Sequence, residues 1–539
     1  MGHVLFWLEA AVTAVLLAAL GAALVSRMQD RVWRWLVGLS WSIVMLLPWL
    51  AVMAAFAAVE RRTGGARVPL ISSAVAGAAA LLAAAVVVLW GRRTSALDGT
   101  RVAATWRPSR IVLAAAAGGL LTAMTFWNLD LSVRQAMATL RVEAGAMALS
   151  VAPPRVPDSQ NAALLYRQGW EALKARNADT GQWRRTVSDW LDPDKGPFDP
   201  ANEAMLVYVR QSRPAIELLH EAAERPGFHF GVEYASLSQA AMPSWSIMHD
   251  LAQVLCLSAR VAAAEGRTAD AMADLHAVWT LAEHLTAEPP IIGSLVAFKG
   301  ESLAFDTFQY VLDAGPLTAD SLDAAPAAVR TSYQDALHRG MRLDTAAGLA
   351  MFTESDPFMG YAGEVFPVIH VFELNPLAEI GYRVFLWKQD VESYLRWMRR
   401  YERLSAEPYY RNAEEWKDFD WAFLADDSRG LLTTALTPMI ARAADLAAAA
   451  DARRRLVALA VAMWRYHLAE GAFPENLEAL VPRHLPAVPV DPFTGEPLKL
   501  AWTLDGIVLY SVGPDLEDGG GAPLDDKTRT GDIALRLGR

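Results

Sequence analysis

Four long apolar runs, separated by short loops bearing Arg, occupy the first 129 residues of the chain. They cover 4–25, 35–57, 68–90 and 111–129, each close to the ~20 residues that carry a helix across a hydrocarbon core. The pattern predicts four transmembrane helices. The first run lacks a basic N-terminal cluster, has no small-x-small site beside Val25-Ser26-Arg27, and precedes three more runs, so it reads as a retained span and not a signal peptide. A further helix is predicted over 130–150, and Ala152-Pro153-Pro154-Arg155-Val156-Pro157-Asp158 breaks it. From there to about residue 470 the apolar positions keep helical spacing with almost no period-two alternation. Asp158 or Ser159 is the expected cap of a helix that begins near Asn161 and places Leu164, Leu165, Trp170 and Leu173 on one face.

The clearest unit of this helical stretch is Ile247–Glu288. Its first helix carries Leu251, Val254, Leu255, Leu257 and Val261; Ala264-Glu265-Gly266-Arg267 stops it; the second carries Leu275, Val278, Leu281 and Leu285 before Pro289-Pro290. Two helices joined by a short Gly turn resemble one tetratricopeptide-type hairpin, and no 34-residue period recurs elsewhere. A degenerate solenoid and an irregular bundle both fit, and such surfaces commonly bind protein. Residues 341–375 then break the helical pattern with Met351, Phe352, Phe358, Met359, Tyr361, Phe366, Ile369, Val371 and Phe372. That segment either rests on membrane or partner, or packs as a long connection within its own domain. Residues 383–421 read as one amphipathic helix in which Trp387, Tyr394, Trp397 and Tyr401 alternate with Arg396, Arg399, Arg400 and Arg403.

Charge divides the chain where hydropathy does. Residues 1–129 hold eleven Arg, no Lys and four acids (Glu9, Asp30, Glu60, Asp98), a net of +7; with −11 overall, the remainder carries −18. That large acidic portion repels phosphate, which excludes a nucleic-acid partner. Loops one and three together carry eight Arg (27, 31, 34, 92, 93, 101, 107, 110) against three in loop two (61, 62, 67). Arg is retained on the cytoplasmic side, so the N-terminus, loop two and everything after the fourth span are expected outside, in a bacterial periplasm or its equivalent. Glu9, inside the first span, is near enough to the outer edge to snorkel. Small-residue stretches such as Gly77-Ala78-Ala79-Ala80 suit close helix packing, with each other or with a partner's helices. Cys256, the single cysteine, rules out a disulfide scaffold and falls on an apolar helix face.

The last 89 residues change character. A helix over Asp451–Glu470 ends at Gly471, and Ala472-Phe473-Pro474, Leu477-Glu478-Ala479-Leu480 and Asp491-Pro492-Phe493-Thr494-Gly495 follow. Strands are expected at Leu498–Leu504 and Ile507–Val512, joined by Asp505-Gly506, a pair that supplies the positive φ of a tight hairpin. Ser511-Val512-Gly513-Pro514-Asp515 opens an acidic Gly-rich loop that closes at Gly531-Asp532-Ile533. In this order the phrases resemble the globular part of the type II secretion major pseudopilin, with Tyr466, Gly471, Phe473 and Pro474 on the family's first phrase. The pilin N-terminus is missing, so a pilus subunit is not expected. The resemblance implies calcium in the terminal loop, held by Asp515, Asp518, Asp525, Asp526 and Asp532, because calcium takes six to eight hard oxygens. Leu516 stands where the family commonly has Gly, and an acidic loop without metal is the other reading.

No P-loop, G-x-G-x-x-G, H-E-x-x-H, C-x-x-C or G-x-S-x-G is present. His276 and His284 are eight apart on one helix and read as surface or groove-lining residues, and Asp426-Asp427 and Asp525-Asp526 as solvated pairs. The expected architecture is mainly α: a four-helix transmembrane anchor (1–130), a linker helix and Pro-rich break (131–157), an extracytoplasmic helical domain, solenoid-like or an irregular bundle (158–450), and a small α+β pseudopilin-like module (451–539). The leading expectation is a non-enzymatic scaffold or accessory subunit of a membrane complex, with lipid and protein partners and a homo- or hetero-oligomeric state. An accessory factor of a type II secretion or pilus-like machine is the second reading, and a membrane-bound periplasmic hydrolase the third.

Overall fold

The computed structural model describes residues 131–538 apart from 176–179, 235–244, 324, 326–331, 354–381, 383–385, 438–439, 505 and 526–527. The four apolar runs, Glu9, Asp526 and most of the aromatic segment 341–375 lie outside the described residues. The described chain is mainly helical with one small three-stranded sheet. The chain divides into two compact units: one comprises Met1–Arg141, Met351–Tyr394 and Asp426–Leu436, the other Val142–Ala350, Leu395–Ala425 and Thr437–Arg539.

The helices are α1 (131–151), α2 (Ala162–Lys174), α3 (Thr180–Leu191), α4 (Glu203–Ala223), α5 (Ser246–Ala264), α6 (Thr268–Ala287), α7 (Ile291–Ala314), α8 (Tyr333–Phe352), α9 (Trp387–Ser405), α10 (Ala413–Ala425) and α11 (Ile440–Glu470), with one-turn pieces between some of them. The cap of α2 differs from expectation. Asp158–Gln160 forms a 3-10 turn, and Asn161 caps the helix by accepting from Ala163 N at 3.1 Å. Asn161 wins because its amide also pairs with the backbone of His229, accepting from its N–H at 3.0 Å and donating to its carbonyl at 2.9 Å.

The hairpin α5–α6 forms as expected, with Gly266 at φ +74 in the turn, a region that costs a Cβ-bearing residue dearly. Helix α7 packs against both members, so the core is a three-helix layer. Among the described residues, α5 is the one helix long and apolar enough to cross a membrane, and it lies mostly buried inside this layer. Leu251, Val254, Leu255 and Cys256 are all fully buried there. Helix α8 runs on to Phe352, not stopping at 341, because Leu343, Ala346, Leu349 and Phe352 keep a three-residue stride and all four are buried. The single helix expected over 383–421 is two helices. Pro408 lacks an N–H and disfavours the helical region for Glu407, so α9 ends at Ser405 and α10 begins at Ala413.

Asp390, in the first turn of α9, is 2% exposed. One carboxylate oxygen accepts from Tyr382 Oη and Leu432 N, both at 2.8 Å; the other accepts from Thr433 N at 2.9 Å and Thr433 Oγ1 at 2.6 Å. In the larger unit, α11 starts eleven residues earlier than its predicted first turn at Asp451, because the Ala-rich stretch 443–452 carries no breaker. The boundary expected at 450/451 therefore falls inside a continuous helix. Strands β1 (Lys499–Thr503), β2 (Gly506–Ser511) and β3 (Ile533–Leu537) form an antiparallel sheet in the order β1-β2-β3. Gly506, at φ +139, leaves no room for a Cβ against Leu537 O. The sheet packs on α11, with β3 also against α7.

Candidate functional site

The acidic loop between β2 and β3 is built on a buried carboxylate that precedes it in the chain. Asp491, 1% exposed, accepts from Phe493 N at 2.9 Å and Ser511 Oγ at 2.8 Å through one oxygen, and from Val512 N at 2.9 Å through the other. The Asp-Pro-Phe-Thr-Gly turn is thereby pinned to the end of β2. The loop then departs through Gly513 and Leu516, the latter in the left-handed region at φ +65. At its far end Asp532, fully buried, accepts from Gly519 N at 3.2 Å and Gly521 N at 2.5 Å. Asp515 accepts from Glu517 N at 3.2 Å and Gly531 N at 2.6 Å, and Asp518 from Gly520 N at 3.1 Å and Lys499 Nζ at 2.6 Å.

Three of the five predicted metal ligands are thus brought together. Burial first, then the charges of Asp518 and Asp515, push the Asp532 carboxyl above its ordinary range. Lys499 holds Asp518 below it. A hard cation would relieve the mutual repulsion of Asp515, Asp518 and Asp532. Their oxygens, however, are aimed at loop amides, and no three acids or imidazoles among the described residues are close enough to form a ligand set as they stand. Asp525 serves a separate turn, accepting from Thr528 N at 3.2 Å.

The densest charged node was not visible in the sequence. Arg454, the middle residue of an Arg-Arg-Arg run, is 2% exposed. It donates from Nε to Glu301 Oε1 at 3.0 Å, from Nη1 to Glu283 Oε1 at 2.9 Å, and from Nη2 to Trp279 O at 3.1 Å and Tyr333 Oη at 3.0 Å. Tyr333 in turn donates to Glu301. One guanidinium joins α6, α7, α8 and α11, and Asp451 adds a bond to Tyr333 N at 3.0 Å. The signal that could have found it is its place at the Ala-rich face of α11, three residues beyond Asp451.

His284 also departs from expectation, since it is buried and not groove-lining. Nε2 donates to Arg225 O at 3.1 Å, which leaves Nδ1 to accept from Tyr166 Oη at 3.0 Å, so the partners assign the neutral tautomer. Burial pushes its pKa down to about 4. Four residues on, Glu288 is completely buried and accepts from Phe230 N at 2.7 Å and from Tyr234 Oη. His229 Nδ1 is occupied as the acceptor of Gly231 N at 2.7 Å, so its 3.5 Å approach to Glu288 is a contact between two acceptors and not an ion pair. Burial lifts the Cys256 thiol to about 12, which removes it as a nucleophile at neutral pH.

These buried groups are spent on one another and on the backbone. A nucleophile beside a base, with space for a substrate, is not assembled among the described residues. An open cleft of about 480 Å³ lies beside Tyr410, Asn412, Glu414, Phe493 and Leu516, with no buried acid or imidazole in its lining. No known protein family matches the chain, and no curated protein and no solved structure matches it either.

Proposed function

We propose that the chain is a membrane-anchored, extracytoplasmic scaffold or accessory subunit of a larger membrane complex. One observation carries the reading: the larger unit invests its buried charges in fixing helix to helix and sheet to helix. Arg454 ties four helices, and the terminal sheet is fastened to the helical body by Gln309, which exchanges two bonds with the backbone of Arg536 (2.7 and 3.1 Å), and by Arg455, which donates to Val490 O at 2.6 Å. Such an interior holds a shape and leaves recognition to the surface. The four apolar runs supply the anchor and their Arg distribution the orientation, with homo- or hetero-oligomeric assembly in the bilayer through the small-residue runs.

A second reading, an accessory factor of a type II secretion or pilus-like machine, is favoured by the exposed edge of β1, where Trp502 is 56% exposed, and by Leu504 just beyond the strand, 89% exposed. Calcium is the ion suited to the loop around Asp515, Asp518 and Asp532. Purification of the full chain from native membrane in mild detergent tests the proposal. A stoichiometric membrane complex supports the first reading and secretion components the second; a chain that purifies alone refutes both. A reporter active only outside the cytoplasm, fused after Ser150, is expected to be active.

A further inference from the structure

The open cleft beside Tyr410 lies between the first turn of α10 and the loop that follows β2. Tyr409 and Phe493 meet edge to face with ring centroids 5.2 Å apart, and Tyr410 lies so close over Gly495 that a Cβ there would stand 2.8 Å from its ring. Lys417 donates to Asp515 O at 3.1 Å and ties α10 to the loop beside Leu516. Contacts outside the cleft thus fix its walls. Two features of the lining set the chemistry it can take. The first is Leu516, held in the left-handed region at φ +65, a conformation that Gly takes freely and Leu does not. It stays half-buried at the cleft wall, so full burial in a core does not offset the strain, and strained residues of this kind cluster at ligand-binding sites. The second is charge. Arg411 pairs with Glu407 at 2.6 Å, and Glu415 receives Arg400 at 2.9 Å and Arg403 at 2.6 Å. Glu414, exposed in the same lining, has no hydrogen-bond or ion-pair partner for its carboxylate among the described residues. An aromatic ring, a leucine and one unpaired carboxylate suit a side chain with an apolar stem and a cationic head. Arginine fits better than lysine, because a planar guanidinium both stacks on a tyrosine ring and bonds a carboxylate through two N–H groups. At about 480 Å³ the cleft is near the lower end of the ~300–1,000 Å³ of small-ligand sites, with room for side chains and not for a globular surface. The −18 carried by residues 130–539 favours the approach of such a cation.

We propose that this cleft binds an arginine side chain on an extended segment of a protein partner, its guanidinium held by Glu414 and its stem lying between Tyr410 and Leu516; this rests on the scaffold reading, in which recognition falls to the surface. The test uses the full chain purified in mild detergent and three fluorescein-labelled tripeptide amides, Ala-Arg-Ala, Ala-Glu-Ala and Ala-citrulline-Ala, read by anisotropy. Citrulline keeps the length and planarity of arginine without its charge. The Arg peptide is expected to bind at least about tenfold more tightly than either control, the scale of a charge-assisted hydrogen bond. Glu414→Gln is expected to bring the Arg peptide to within about twofold of the citrulline peptide. Leu516→Gly suits φ +65 and should not lower the urea midpoint, yet it is expected to weaken the Arg peptide at least about threefold, so that the loss of binding is not a loss of fold. Equal binding of the Arg and citrulline peptides, or a preference that survives Glu414→Gln, overturns the arginine site. Purification from native membrane reads the scaffold separately. A complex recovered from a chain without Arg preference overturns the site and leaves the scaffold; a chain that purifies alone and shows no preference overturns both.

Discussion

Replacing Arg454 by Met tests whether the buried node fixes the helical body. Methionine fills the stem's volume but removes five hydrogen bonds, two of them to Glu301 through Nε and Nη2. It leaves Glu301 (1% exposed) facing only Tyr333, while Glu283, with its side chain 19% exposed, can turn to water. Removing one partner of a buried pair typically costs about 3–5 kcal/mol, because the remaining charge is neither solvated nor compensated. By contrast, Tyr333→Phe deletes one donor and is expected to cost about 1–2 kcal/mol. The decisive comparison is the double variant Arg454→Met/Glu301→Leu, which removes both charges and is expected to regain at least half of the single-variant loss. Urea titration of the purified full chain, followed by tryptophan emission, measures all three. The reasoning is refuted if Arg454→Met costs less than about 1 kcal/mol, or if the double variant is no more stable than Arg454→Met.

Three further outcomes follow from buried or crowded groups. His284 is held neutral in the fold, with a pKa lowered from 6.5 to about 4, so on acidification the unfolded chain takes up the proton first. Its contribution is complete above pH 6.5 and about 3 kcal/mol of stability is lost as the pH falls to 4; His284→Gln should shorten that acid limb, and identical pH profiles would disprove the assignment. Gly430→Ala places a methyl group on the Asp390 carboxylate and should cost about 1–3 kcal/mol, seen as faster protease cleavage within 426–436; unchanged cleavage counts against the Asp390 clamp. If the terminal loop takes calcium with the ~0.1–1 mM affinity usual for extracellular modules, 10 mM calcium should add about 1.4–2.7 kcal/mol, reversed by chelator and absent in Asp532→Asn. A flat titration removes calcium from the loop.

What could be read from the sequence was whatever obeys a local rule. The α5–α6 hairpin was legible because Gly266 and Pro289-Pro290 punctuate two helical strides. The two strands of the β1–β2 hairpin were legible too, but not their register: Gly506, expected in the turn, is the first residue of β2 and pairs with Thr503. Local rules fail where a distant contact decides a local question. Asn161 displaced Asp158 as a cap through its bonds to His229, 68 residues away. Nothing local marks Arg454 as a buried residue, because its partner Glu301 lies 153 residues earlier. Strand β3 was not predicted because a five-residue segment after a long loop becomes a strand only by pairing with β2, Ile507 opposite Leu537. The acidic loop was recognised as a cluster, but the division of its carboxylates between amides and one another depends on how the backbone folds around Gly519 and Gly521.

The way the sheet is fastened also determines where a partner strand could join it. Arg536 turns both its N–H and its carbonyl to the Gln309 side chain, so the free edge of β3 is already occupied by a side-chain amide standing in for a strand. In an antiparallel ladder the residue opposite Arg536, Val508, must then face β1, where it meets Ala501. By alternation Leu500 and Trp502 direct their backbone groups outward, away from β2. Among the described strands, β1 alone therefore offers an edge that can accept an extended segment, with the exposed Trp502 beside it. Trp502→Lys should leave the sheet intact, since a half-exposed edge position tolerates charge within about 0.5 kcal/mol, yet it should deter strand addition as edge lysines do. Under the secretion-accessory reading, the variant purified from native membrane would lose its extracytoplasmic partner while keeping the wild-type urea midpoint. Full recovery of the partner would place the contact elsewhere, on the helical surface, and return the weight to the scaffold reading.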